Sequence, residues 1–281
     1  MASTEVSAGT IHYEEIGNGP PLVMVGGLAM DGRLWERVAA ELAPTHRCLM
    51  PTLPFGAHPE PMRPDADLSL RGMGRIVAEF IESLGLEAVI LCFNDWSGAQ
   101  VMVADGLLGR VSALVLASCE TEGNYPPGLA GRAAILAAKM PGGLSLMRRT
   151  LLAPSLRRLP FIYGQMSKRG VPDDLMREWL EPLCRPEIRR DVRKYIGDVG
   201  QGRRDMVAAT PALGRFEPPV LVVWDRDGSM MPNDEGRKLA ADFADARLVE
   251  IADSYTLIPI DQPLELAAVI REFALEPTAA A

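Results

Sequence analysis

The sequence predicts an α/β fold, with a mostly parallel central sheet flanked by helices and a helical segment inserted between two late strands. Three observations carry this. Short apolar runs rich in Val, Ile and Leu alternate along the chain with amphipathic patterns, as expected of a parallel sheet covered on both faces. The alternation stops after Ala117 and resumes only at Val220. The stretch between also differs in charge: residues 122–215 carry 17 Lys and Arg against 9 Asp and Glu, whereas the remainder carries 12 against 28.

In chain order, residues 9–17 read as a leading antiparallel strand that ends at a glycine turn. Strand-like runs follow at Pro21–Val25, Arg47–Met50, Ala88–Cys92, Ala113–Ala117, Val220–Trp224 and Ala246–Ile251. Helical periodicity marks Leu34–Leu42, Ser69–Leu84, Ala99–Leu108, Asp234–Phe243 and Gln262–Phe273. The inserted stretch holds helical segments broken by prolines, among them Pro126, Pro127, Pro141, Pro154, Pro160, Pro172, Pro182 and Pro186. This divides the chain into a core domain, 1–121 and 216–281, and a helical cap domain, 122–215. The last residues, Pro277–Ala281, are a low-complexity tail.

With 281 residues, 48% of them hydrophobic, the chain is long enough for a full core and too apolar to be disordered. A net charge of −8 argues against nucleic acid as a partner, and no apolar run reaches the length of a membrane span. The first residues lack the basic and apolar regions of a secretory signal, so a cytoplasmic location is expected. The four cysteines, at 48, 92, 119 and 184, form no CxxC, and they read as reduced, mostly buried thiols with no metal site and no disulfide framework. No cofactor is expected. The expected partner is a small, largely apolar molecule, and self-association as a homodimer is compatible with the sequence.

The sharpest local feature is Cys92-Phe-Asn94-Asp95-Trp96-Ser-Gly98-Ala99, where a buried strand meets an amphipathic helix. Small residues at 97 and 98 allow a tight strand-to-helix turn, which lifts the side chain of residue 95 above the sheet and puts a carboxylate at a helix N-terminus. With this motif the chain resembles the α/β-hydrolase superfamily, in particular its haloalkane dehalogenase and epoxide hydrolase branch, whose nucleophile is an aspartate followed by Trp in this setting. The resemblance extends along nearly the whole chain. Val23-Met-Val-Gly26-Gly27-Leu28, with Trp35 downstream, is similar to the oxyanion turn, and Pro51–Gly56 to the loop after the next parallel strand. Trp224–Pro232 is similar to the acid turn, and Asp253–Pro263 to the histidine loop and final helix.

The resemblance implies Asp95 as the central catalytic group, with the backbone N–H groups of Leu28 and Trp96 as an anion hole. It implies a pocket wall including Gly27, Trp35, Asn94, Tyr125, Tyr163 and Met166. Other aromatic and methionine residues of the inserted stretch (Met140, Met147, Phe161, Met176, Trp179) are further wall candidates, and Tyr125, Tyr163 or Tyr195 could polarise a substrate oxygen.

Two positions depart from the pattern. The final loop carries Thr256, preceded by Tyr255, where the family has its general-base histidine, and the three histidines of the chain stand at 12, 46 and 58. The acid position aligns with Gly228, beside Asp225 and Asp227, while Glu120 stands where a second family solution places its acid. A covalent ester on an aspartate must be cleared by base-activated water, which a histidine supplies near neutral pH. Such assistance contributes roughly 10²- to 10⁴-fold. His58 is the one histidine in a loop that could reach the site.

The expected function is therefore acid/base chemistry without hydrolysis, such as cyclisation, isomerisation, elimination or epoxide opening. Asp95 would act with Glu120, Tyr255 or Thr256, and His58 and Asp227 are secondary candidates. Two carboxylates under an apolar cap should drive one pKa upward. A hydrolase proper and a catalytically silent ligand-binding protein are the alternatives.

Overall fold

The computed structural model describes residues 1–96, 98–197 and 199–275. Eight strands form one sheet: β1 (Ala2–Val6), β2 (Gly9–Ile16), β3 (Pro21–Val25), β4 (Arg47–Thr52), β5 (Val89–Asp95), β6 (Val111–Cys119), β7 (Val220–Asp225) and β8 (Ala246–Ile251). Their order is β1-β2-β4-β3-β5-β6-β7-β8; β1 and β2 run antiparallel to their neighbours and the rest are parallel. The helices are α1 (Glu36–Leu42), α2 (Leu70–Ser83), α3 (Gly98–Ala104), α4 (Gly128–Lys139), α5 (Gly143–Leu152), α6 (Pro154–Arg157), α7 (Asp173–Leu180), α8 (Pro186–Gly197), α9 (Val199–Leu213), α10 (Asn233–Asp242), α11 (Ile258–Asp261) and α12 (Pro263–Leu275).

The central strands explain the apolar runs. Every residue of β5 and β7 is buried, because helices cover the sheet on which they lie. The expectation fails at the edges. β8 is only half-buried along most of its length, being the outer strand. β1 went unseen because Ala-Ser-Thr-Glu-Val is mostly exposed and has no apolar periodicity to betray it. Ser69 caps α2, its hydroxyl accepting from the Gly72 N–H at 3.1 Å, and the apolar face of that helix is buried from Leu70 to Ile81.

The chain leaves the sheet at Cys119 and returns at Val220, and among the described residues between them there are helices α4–α9 and no strand. Within this stretch, α9 packs against α3 and α2. Of the cysteines, 48, 92 and 119 are buried thiols and Cys184 is exposed.

Candidate active site

The site grows from the end of β5. Asp95 sits at φ +68°, and the Trp96 N–H donates to the Asn94 carbonyl at 2.8 Å, closing a three-residue turn. A side chain at positive φ costs on the order of 1–3 kcal/mol and is worth noticing where a strand meets a helix. Gly98 makes the turn possible from the other side, since a Cβ there would come within 2.0 Å of the Trp96 ring. The glycine part of the expected elbow is thus in place; Ser97 lies outside the described residues. The expected anion hole is corrected in one half. The Trp96 N–H is consumed by the Asn94 carbonyl, so the turn that lifts Asp95 also takes that donor away.

The other half is present but already engaged, because the Leu28 N–H bonds to the Asp95 carboxyl. Gly27 lets this happen: a Cβ on it would lie 1.9 Å from Asp95 Oδ2. Asp95 is 8% exposed as a residue, and burial pushes its pKa up to about 7, with the Leu28 N–H pulling the other way. Burial, rather than repulsion from Glu120, is the cause. Glu120 stands beside it because β5 and β6 pair Asp95 with Cys119, and the Glu120 N–H donates to the Asp95 carbonyl at 3.0 Å. Gln100 Nε2 holds the Glu120 carbonyl at 3.1 Å, and Glu120 itself is buried.

Both carboxylates open into a cavity of about 360 Å³ between the sheet end and α4, α5 and α8. Of the wall candidates, Tyr125, Tyr163, Met166, Met140, Met147 and Phe161 line it, together with Leu28, Trp96 and Tyr195. Met176 and Trp179 do not. They belong to the core, where the Trp179 indole N–H donates to Asp31 Oδ1 at 2.8 Å. Burial raises the pKa of Tyr163, with the Asp95 charge adding to it, and it raises that of Tyr195, which is bonded to Tyr125. These phenols stay protonated at neutral pH; the Tyr195 hydroxyl is engaged by Tyr125, and Tyr163 presents its donor to the cavity. The rest of the wall is aliphatic, much of it Ala130, Ala133, Ala134 and Ala137 of α4. Those alanines, and Met230 from the β7–α10 loop, were missed; a run of small residues on one helix was the available signal. No Lys, Arg or His lines the cavity.

Several expected site residues stand elsewhere. His58 is buried outside the cavity: its Nδ1 accepts from the Gly56 N–H at 3.2 Å and its Nε2 faces Asp191 Oδ2 at 3.3 Å, on α8. That pattern makes it the neutral tautomer donating to a carboxylate, and desolvation lowers its pKa despite Asp191. Tyr255 is half-buried under Lys168, 6.0 Å from its ring centre, and Thr256 is fully buried; neither lines the cavity. Asn94 explains Thr256's position, because its amide donates to the carbonyls of Ala117 and Thr256 at 2.7 and 2.8 Å, pinning the last loop to the sheet. Asn94 and Trp35 are therefore core rather than wall, and Gly27 backs Asp95 without lining the cavity. Asp227 is on the surface, paired with Lys168 at 2.9 Å. His12 pairs with Glu60 on β2, and His46 contacts Thr45 ahead of β4.

Asp225 is the buried acid that sequence reasoning passed over. It accepts from the Ser118 hydroxyl at 2.6 Å and gives its N–H to the same oxygen at 2.9 Å. A Cβ on Gly228 would lie 1.9 Å from Asp225 Oδ2, so this carboxylate fills the space a side chain at 228 would take. Burial pushes its pKa up to about 6, opposed by Ser118 and the Gly228 N–H.

Against known proteins, residues 22–269 match the alpha/beta hydrolase family. The chain is 25% identical to haloalkane dehalogenase 2 of Mycobacterium tuberculosis over 280 residues, covering 95% of this chain and 92% of that protein. It is 25% identical to 2-hydroxy-6-oxo-6-phenylhexa-2,4-dienoate hydrolase of Comamonas testosteroni, over 88% of this chain and 85% of that one. Among solved structures, an esterase from Thermogutta terrifontis superposes with a TM-score of 0.74 at 19% identity, covering 98% of both chains. A loop variant of a haloalkane dehalogenase from Bradyrhizobium elkanii does so with 0.75 at 16%, covering 97% of this chain and 95% of that one. Those two likenesses speak to the fold.

Proposed function

The chain belongs to the alpha/beta hydrolase family, and from that premise we propose an enzyme that uses Asp95 as an acid/base group on a small, largely apolar molecule without hydrolysing it. The observation that carries the reading is a buried Asp95, with a pKa of about 7, in a cavity that no histidine lines. A carboxyl poised at neutrality can take and return a proton, and Brønsted behaviour is most favourable there. Protonated Tyr163 supplies a hydrogen bond to an oxygen that gains charge as Asp95 removes the proton. Isomerisation, elimination, cyclisation and epoxide opening all fit that division of labour. Glu120 is the second carboxyl available to return a proton at another point of the substrate.

The cavity also argues for a neutral substrate. With no cationic side chain in its wall, a bound carboxylate would face Asp95 and Glu120 uncompensated in a low-dielectric space. The carboxylate-bearing dienoates named for the Comamonas relative are therefore a poor fit here.

A second reading, hydrolysis of an alkyl halide or epoxide with Asp95 as nucleophile, is favoured by the names of the relatives and by one feature of the wall. The buried Trp96 indole N–H has no hydrogen-bond partner among the described residues and would serve a departing halide. In that reaction Asp95 Oδ attacks carbon, the carbon–halogen bond breaks with its electron pair leaving on the halide, and water must cleave the resulting ester. The test is turnover of neutral terminal epoxides and 1-bromoalkanes. The proposed reading predicts at most one equivalent of bromide per chain and no diol. Sustained release establishes the second reading instead.

A further inference from the structure

Residues 123–172 contain eight Lys and Arg and no Asp or Glu, within a chain of net charge −8. Half of these cations are engaged. Arg157 pairs with Asp173, Lys168 and Arg169 with Asp253, and Arg148 Nε donates to the Leu180 carbonyl. The other four, Arg132, Lys139, Arg149 and Arg158, are exposed and pair with no carboxylate among the described residues. The same stretch exposes Leu129, Leu136, Met140, Leu146, Leu156 and Phe161, each between 45% and 64%. That is six of the eleven large apolar side chains exposed among the described residues.

Helical spacing interleaves the two kinds. On α4, Leu129, Arg132, Leu136 and Lys139 follow one another at steps of three or four residues, so they share one face; on α5, Leu146 and Arg149 do the same. The helices α4 and α5 pack side by side. Leu136, Met140, Leu146 and Phe161 both line the cavity and are exposed, which makes them the rim of its mouth. An apolar molecule entering the cavity passes between these residues.

We infer that this face docks on an anionic lipid bilayer, with the apolar rim in the interface and the four unpaired cations against lipid headgroups, so that the cavity opens onto the membrane. Exposed apolar side chains flanked by Lys and Arg are the chemistry of interfacial binding. The acidic remainder of the chain would be repelled by the same surface, so charge alone orients the molecule with this face inward. A bilayer suits the patch better than a protein partner because the rim encircles an opening for apolar ligands, and lipid is the phase in which such ligands collect. The sequence, with no apolar run long enough to span, predicts no membrane partner, and no helix among the described residues is long and apolar enough to cross a membrane. Surface docking is a different mode and does not depend on the chemistry assigned to Asp95.

Vesicle flotation with the full chain tests this. Vesicles containing about 30% phosphatidylglycerol in phosphatidylcholine, at about 0.1 M salt, should carry the protein up the gradient, and phosphatidylcholine alone should not. An Arg132→Gln, Arg149→Gln double variant, checked for an unchanged melting temperature, should bind about 25-fold more weakly, at roughly fivefold per charge. Leu129→Asp should also weaken binding. Failure to float on either vesicle, equal flotation on both, or a double variant that floats like the wild type would overturn the inference. An acidic protein partner would produce the first of these results.

Discussion

Replacing Asp95 by Asn separates the cost of this residue's charge from everything else it does. Asn has nearly the same shape and tolerates the positive φ of +68° at least as well, so the turn survives the change. The folded-state pKa of about 7 lies above the ordinary value of 3.8, because burial disfavours the charged form. The unfolded chain therefore ionises first as pH rises, and within the window it binds fewer protons than the native state. Stability from this group is fully present below about pH 4 and is lost progressively up to about pH 7, beyond which the loss is constant. At 1.36 kcal/mol per unit, the penalty is about 2 kcal/mol at pH 5.5 and about 4 kcal/mol at pH 8. Asn carries no such penalty. Urea unfolding of both proteins from pH 4 to 8 should show the variant gaining on the wild type by that amount, with the gain confined to the window. Other titrating groups cancel in the difference. Two curves that run parallel across the range would mean that Asp95 ionises normally and that the acid/base role assigned to it lacks its physical basis.

Two further substitutions probe the placement of the site. Gly27→Ala puts a methyl 1.9 Å from Asp95 Oδ2 and 2.9 Å from its Cβ, so the whole carboxyl must be displaced; it should cost on the order of 1–3 kcal/mol in unfolding and abolish alkylation of Asp95 by a reactive epoxide. Full reactivity in this variant would show that the carboxyl points elsewhere. His58→Ala leaves the Gly56 N–H without its acceptor and takes one donor from Asp191, which keeps the Met62 N–H and Arg190, and should destabilise the fold by about 2 kcal/mol, read by urea unfolding. Because His58 lies outside the cavity, the rate at which an epoxide modifies Asp95 should change less than about threefold, well short of the loss expected for a general base.

How far the site could be read from the chain depended on whether its parts are local. The bounds of β3 and β8 coincide with the runs seen in the sequence, and Asp95 stood out because strand, carboxylate, Trp and Gly are contiguous. What contiguity cannot carry is direction. The final loop was matched to the family's histidine loop by its order in the chain, but the Asn94 amide takes the Thr256 carbonyl from 162 residues away and holds that residue in the core. His58 was expected to face solvent or substrate, and instead finds Asp191 on a helix 133 residues later. Asp225 and Gly228 illustrate the same limit: read in line, 228 has lost a side chain, while in space Asp225 fills its place. The Trp96 N–H was miscounted as an available donor because only the backbone angle of Asp95 reveals that the turn consumes it.

The intact mass of the protein after incubation with a small neutral epoxide bears most directly on the claim that Asp95 is reactive in a cavity with no histidine to activate water. The wild type should gain the mass of one epoxide, the added mass should persist for hours after the reagent is removed, peptide mapping should place it on Asp95, and Asp95→Asn should gain nothing. Continuous appearance of diol, with the protein mass returning to its starting value, would contradict the account.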